Sequence, residues 1–307
     1  MELNGIPVED TYAEAFPAVG ARVLITAEDE RWAREAAASF TGFATSVIGC
    51  GCEAGVEGVD PGETPDGRPG IVVLIFAMSK KGLHDQLIKR VGQSVMTCPS
   101  TACYNALQGE SWLSVGGKLR FFGDGFQFSK VLHAVLDPAG GRARRFWRIP
   151  VMDGEFVVED RFGVVKGVAG GNFLILGEGL QATLQASDLA VQAMRQVPGI
   201  ILPFPGGVVR SGSKVGSQYK FLTASTNTAY CPTIRRQVKS ALPDDVGAVL
   251  EIVIDGLTPE AVAEAMRVGI PAACREGIKG ISAGNYGGKL GKYHFRLHEI
   301  LKSGGRT

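Results

Sequence analysis

One order of segments runs through this chain twice, and it limits the fold more than any other feature. In the second half, residues 172–176 (NFLIL) read as a strand, 181–197 as a helix and 199–204 as a strand. Residues 249–254 (VLEIVI) read as the next strand, and Thr258 caps a helix with Pro259 at its first position and Glu260 and Glu264 in its first turns. That helix carries Arg267-Val268-Gly269, and Gly287-Gly288-Lys289-Leu290 and an alternating strand, KYHFRLH, follow. The first half has the counterparts. Residues 22–26 (RVLIT), a helix over 31–40 and a strand over 45–48 form one unit. A strand over 71–76 (IVVLIF), a helix over 83–96 with Arg90-Val91-Gly92, then Gly116-Gly117-Lys118-Leu119 and a strand, LRFF, form the next.

Each half therefore reads βαβ-βαβ, the split βαβ pattern of ferredoxin-like domains. The expected fold is α+β, with two duplicated ferredoxin-like lobes over 1–146 and 147–307. Between them FWRIPVMDGEFVVEDRFGVV alternates around an Asp-Gly turn, which predicts an inserted hairpin over about 147–166.

Apolar residues make up 45% of the 307 and charged residues 21%, an ordinary globular balance. The net charge of +1 supplies no field for nucleic acid or an anionic membrane. The longest apolar run, IVVLIFAM, falls far short of the ~20 residues of a membrane span. MELNGIPVED is acidic and has no signal-peptide core, so a cytoplasmic location is expected. The six cysteines make no disulfide framework: Cys50 and Cys52 are one residue apart, Cys98 and Cys103 flank Pro99, and Cys231 and Cys274 stand alone. No C-x-x-C occurs and no histidine lies near a cysteine pair at zinc-finger spacing, so no metal is expected. None of His84, His133, His294 and His298 sits in an interpretable motif; His294 and His298 fall with Arg296 on one face of the last strand, a solvated face.

Two polar, Gly-rich segments stand apart: 203–227 (PFPGGVVRSGSKVGSQYKFLTASTN) and 282–291 (SAGNYGGKLG). Glycine permits close backbone approach to a ligand, short polar side chains supply hydrogen bonds, and lysine supplies charge. A polar connection beyond roughly 12–15 residues in a compact domain is either functional or disordered, and Phe204, Val208, Val209, Val215, Tyr219, Phe221 and Leu222 argue against disorder. Arg210, Lys214, Lys220, Lys289 and Lys292 cluster in or beside these segments, with Ser211, Ser213, Ser217, Ser225, Thr226, Asn227, Asn285 and Tyr286 as polar candidates. Glu251 lies in an apolar strand on the face of Val249 and Val253, so it is either a solvated edge residue or a buried acid with a raised pKa. Glu53 follows an apolar stretch, where it is either a surface carboxylate or a second acid. Cys231, in AYCPT, is a candidate nucleophile with no evident base.

The segments PFPGGVVRSGSKVGS, FLTASTN, YCPT, EIVIDGL and ISAGNYGGKLG resemble those of formylmethanofuran–tetrahydromethanopterin formyltransferases. The likeness continues through NGIPVEDTYAEAF, TGFATSVI, EAG, ETPDGRPG, FFGDGF, RIPVMDGEFVVED and GVAGGNF, in order over nearly the whole chain, and is poorest over 81–116 and 127–145. GCGCEAG is most similar to bacterial, methylotroph-type members, which supply the formyltransferase subunit of a formyltransferase/hydrolase complex.

The resemblance implies a two-lobed formyltransferase with tetrahydromethanopterin and a methanofuran-type carrier as co-substrates. It implies catalytic roles for Glu251 and Glu53. It also implies cofactor contacts from Arg210, Ser211, Ser213, Lys214, Ser217, Ser225, Thr226, Asn227, Asn285, Tyr286 and Lys289, the cations pairing with acidic coenzyme tails. The expected partners are further copies of the chain, as a homotetramer, and the hydrolase and accessory subunits of the complex. Two rivals remain open at this point: a non-catalytic cofactor-binding or scaffold subunit, and a thiol-dependent acyltransferase using Cys231.

Overall fold

A computed structural model describes residues 1–132 and 144–303; His133 and part of the 127–145 stretch lie outside the described residues. The protein is α+β. Its packing forms two compact units, Ala18–Gly167 and Met1–Pro17 with Val168–Thr307. These differ in extent from 1–146 and 147–307. The first residues join the C-terminal half because the strand Tyr12–Thr26 begins by pairing with Tyr293–Arg296, Glu14 opposite His294, and because Val8 bridges Ile281. The hairpin Arg144–Val151/Gly154–Glu159 belongs with Ala18–Gly167, since Val157 and Val158 pair in parallel with Ala102 and Cys103.

Within Ala18–Gly167, four strands stand side by side in the order Glu53–Val56, Gly70–Ala77, Tyr12–Thr26, Ala102–Asn105, each antiparallel to its neighbour. Two helices cover them. Glu30–Thr41 starts where Asp29 accepts a hydrogen bond from Trp32 N at 3.0 Å, and Lys80–Arg90 starts where Ser79 accepts one from Gly82 N at 3.1 Å. Their buried faces, Ala36, Ala37 and Phe40 on one and Leu83 and Leu87 on the other, join Val23, Ile25, Val73 and Ile75 in the core. Burying each large side chain of this kind contributes roughly 1.5–3 kcal/mol.

The other unit repeats the order. Ile200–Ile201, Ala248–Gly256, the end of Arg161–Gly177, and Ile278–Ser282 lie side by side, again antiparallel. Helices Leu180–Met194 and Pro259–Ala273 cover one face, the second capped by Thr258 as the sequence predicts. The helices approach closely at Gly269, where a β carbon would lie 2.5 Å from Met194 Sδ. Gly269 of the second Arg-Val-Gly is therefore a packing residue. Gly92 of the first lies in a helical segment, Val91–Val95, that widens to a π turn.

Several local expectations change. Residues 45–48 are not a strand: Ser46 caps a helical turn, Val47–Cys50, and the strand begins at Glu53. Residues 116–119 and LRFF are helical, as Gly116–Leu119 and Arg120–Gly123. The two glycines pin that turn, because a β carbon on Gly116 would meet the Glu159 carbonyl oxygen at 2.4 Å. Arg120 stacks over the rings of Phe121 and Trp147, so Phe121 and Phe122 stay at the surface and no strand alternation arises. The second GGKL, residues 287–290, is a loop, so the two copies are not structural counterparts. Only Ile200–Ile201 of 199–204 pairs as strand. His298 is not on the last strand with His294: it lies in the helix Leu297–Ser303, with Nε2 2.8 Å from the Val8 carbonyl oxygen.

Candidate functional site

The strand Ala248–Gly256 divides its side chains by alternation. Leu250, Ile252 and Ile254 are buried in or against the core, and Val249, Glu251 and Val253 occupy the opposite face. Glu251 pairs with Leu174, and Leu174 pairs on its other side with Ser282. These three residues form one row across three strands, on the same face. Part of the long polar segment folds over that face. Its backbone is tied to the strand at Val209, which donates to the Glu251 carbonyl at 2.7 Å and accepts from Glu251 N at 2.8 Å. Tyr230, Leu242 and Val249 pack with Leu174, Leu176 and Val246.

An open cleft remains at Glu251. It is lined by Leu174, Val209, Arg210, Gly212, Thr226, Asn227, Tyr230, Cys231, Val249 and Leu250. Burial pushes the Glu251 carboxyl up to about 7. Among the described residues no hydrogen bond or charge offsets that burial. Gly212 lies close over the carboxyl: a β carbon there would lie 2.8 Å from Glu251 Oε2. The Gly212 carbonyl accepts from Asn227 N at 2.8 Å, which closes the loop over the carboxyl.

The polar residues singled out in the sequence separate by position. Arg210, Thr226 and Asn227 line the cleft with Glu251. Ser211 and Ser213 are exposed beside it, and Ser213–Val215 pairs with Ala224–Thr226 as a short hairpin. Lys214 donates to Thr228 Oγ1 at 3.1 Å. Ser217 and Ser225 serve the hairpin itself: Ser217 accepts from Tyr219 N at 3.1 Å, and Ser225 donates to the Gly216 carbonyl at 2.7 Å. Asn285 donates to Thr11 Oγ1 at 3.3 Å and accepts from Gly287 N at 3.2 Å. Lys289 is exposed. Tyr286 is half-buried with its ring 5.9 Å from that of Phe16, and burial, with the charges of Glu251 and Glu14, pushes its phenol up.

Glu53 lies in the other unit, where it is buried and accepts from Val47 N at 3.0 Å. Cys231 lines the Glu251 cleft, its thiol 3.3 Å from the Asn227 carbonyl oxygen and 3.4 Å from Thr226 Oγ1. All six cysteines are free. Among the described residues no cluster of three His, Cys, Asp or Glu side chains could hold a metal ion.

Sequence reasoning missed Gly212 and Glu14. Glu14 is fully buried and accepts four backbone hydrogen bonds. Tyr286 N and Gly288 N donate to Oε2 at 2.7 and 2.8 Å, and Leu290 N and Gly291 N donate to Oε1 at 2.6 Å each. Burial alone would raise its pKa, but the four donors outweigh that and hold it at about 2. The glycines of 284–291 serve this wrap. Gly287 and Gly288 have φ of 73° and 72°, and a β carbon on Gly291 would lie 2.8 Å from Glu14 Cγ.

The comparisons with known proteins agree over the full chain. The family model described as formylmethanofuran-tetrahydromethanopterin formyltransferase matches residues 1–151, and that of its proximal lobe matches residues 154–300. A Methylococcus capsulatus protein named formylmethanofuran–tetrahydromethanopterin formyltransferase is 53% identical over 306 residues, which is 98% of this chain and 100% of that protein. A chain in the crystal structure of the formyltransferase/hydrolase complex from Methylorubrum extorquens with methylofuran aligns with a TM-score of 0.93 at 52% identity, covering 98% of each chain. The Methanosarcina barkeri formyltransferase structure aligns with a TM-score of 0.90 at 48% identity, covering 98% of this chain and 100% of that one. With both halves matched and half of all residues shared, this chain belongs to the formylmethanofuran–tetrahydromethanopterin formyltransferase family.

Proposed function

We propose that this chain transfers a formyl group between tetrahydromethanopterin and a methanofuran-type amine, with Glu251 as the group that handles the proton. The observation that carries this reading is the half-buried Glu251 carboxyl facing an open cleft under Gly212, where burial pushes it up to about 7. The free amine of one carrier attacks the formyl carbon of the other, and the carbonyl π pair moves onto oxygen. The pair returns as the bond to the first carrier's nitrogen breaks. The attacking nitrogen loses one proton and the leaving nitrogen gains one. A carboxyl near 7 has both forms available at neutral pH, so it can give a proton to the leaving nitrogen and take one from the attacking nitrogen. No covalent enzyme intermediate is needed, and the cleft supplies alignment.

Arg210, Thr226 and Asn227 are the best placed of the proposed cofactor contacts, because they line the cleft. Ser211, Ser213, Lys214, Ser217, Ser225, Asn285, Tyr286 and Lys289 remain proposed contacts, and Glu53 a second acid. The equal strand orders of the two units support reading them as duplicated ferredoxin-like lobes. A homotetramer, and assembly in the cytoplasm with hydrolase and accessory subunits, are carried by the family likeness. The likeness to a chain in a formyltransferase/hydrolase complex supports the second of these.

The test is pterin absorbance on mixing the purified chain with formyl-tetrahydromethanopterin and a methanofuran-type amine. Turnover is expected. Binding of the pterin without turnover, also in the presence of the other complex subunits, would contradict the reading.

A further inference from the structure

The loop 284–291 leaves the sheet from Ser282, in the row of Glu251 and Leu174. One step further along that face, Asn172 stands opposite Val253 and clamps the start of the loop, accepting from Gly284 N at 2.6 Å and donating to the Gly284 carbonyl at 3.2 Å. Glu14 N donates to the same carbonyl at 3.1 Å, and the Glu14 carboxylate takes four more amides from Tyr286 to Gly291. An ionised carboxylate without solvent exposure is costly unless its lone pairs are filled, and here donors of one loop fill them. Four of the loop's eight amides are thereby spent on an internal anion, and two more, Gly284 N and Gly287 N, on Asn172 and Asn285. What the loop has left to offer a ligand is chiefly its side chains, Tyr286 among them.

We propose that Glu14 is a positioning residue of the Glu251 site: its carboxylate fixes the loop 284–291 and so holds Tyr286 in place. This rests on the formyl transfer proposed above. Burial first, and then the charges of Glu251 and Glu14, push the Tyr286 phenol up, so that side chain is within electrostatic reach of both the anchor and the candidate acid. Glutamine at position 14 would keep one acceptor oxygen but turn an NH₂ group toward two N–H donors. Two of the four bonds would be lost and the loop released, while the sheet keeps its own pairing.

Two measurements on Glu14→Gln decide the matter. In hydrogen exchange, the amides of 286–291 should exchange on the order of tenfold faster or more, with the strand Ile278–Ser282 still protected. Unchanged protection of 286–291 overturns the anchor. In formyl transfer, Glu14→Gln and Tyr286→Phe are combined as a double-mutant cycle on kcat/KM. If Glu14 acts through Tyr286, the double variant is no worse than Glu14→Gln alone; losses that multiply overturn the positioning role. If Glu14→Gln does not fold, Glu14→Asp keeps the charge on a shorter stem and takes the same two readings. A wild-type chain without formyl transfer would refute the function proposed above, and the exchange measurement would still decide the anchor.

Discussion

Gly212 and Glu251 face each other so closely that a β carbon on Gly212 would lie 2.8 Å from Glu251 Oε2. The two come from segments 39 residues apart in the chain, joined where Val209 and Glu251 exchange backbone hydrogen bonds. The absence of a side chain at 212 lets the carboxyl sit in the cleft.

Gly212→Ala should therefore push the Glu251 carboxyl out of place. A shift of this size at a reacting group costs on the order of 10–100-fold in rate. The loss should fall on kcat, with the fold intact by circular dichroism. An unchanged kcat would mean that the carboxyl has room to move without consequence.

Glu251 also makes stability depend on pH. Its carboxyl is raised from 4.5 to about 7 in the folded chain, so between these values the folded state binds more protons than the unfolded one. Stability from this group is fully present below pH 4.5, falls as pH rises towards 7, and is lost above it. Glu251→Gln removes the cost of charging the site. At pH 8 the variant should be more stable than wild type by about 3 kcal/mol, with the difference vanishing below pH 4.5. Urea denaturation at the two pH values checks this.

The last strands and helices were readable from the sequence because local signals agreed. Thr258 and Pro259 mark a helix start, and VLEIVI alternates so that Glu251 must lie opposite Leu250 and Ile252. Glu14 was hidden for the opposite reason. Tyr-Ala-Glu-Ala-Phe belongs to a family-like segment but gives no sign of a buried anion, because the four amides that Glu14 holds lie more than 270 residues away. LRFF misled because its two phenylalanines face solvent beside a stacked Arg120 while Leu119 is buried. In 282–291 the glycines looked fit for a ligand, and instead they wrap a buried carboxylate of the same chain.

Gly291→Ala tests that wrap. The added carbon would lie 2.4 Å from the Ala15 carbonyl oxygen, a backbone atom held in the strand, so the loop must move. Overpacking of this kind costs roughly 1–3 kcal/mol. A lower urea midpoint with an unchanged slope is expected.

Cys231 lies in the cleft, yet direct amine attack gives its thiol no covalent task. Cys231→Ala should keep kcat within about threefold of wild type, whereas loss of a covalent nucleophile costs orders of magnitude. A loss of that larger size would favour the thiol-dependent mechanism.

The central claim is that Glu251 handles the proton, and the most direct test is the pH dependence of kcat for wild type and Glu251→Gln in formyl transfer. Wild type should show a limb with a midpoint near 7, the value to which burial raises the carboxyl. Glu251→Gln should lose on the order of 10²–10⁴-fold in kcat and show no such limb in what remains. A folded Glu251→Gln variant with wild-type kcat and the same pH profile would contradict the account.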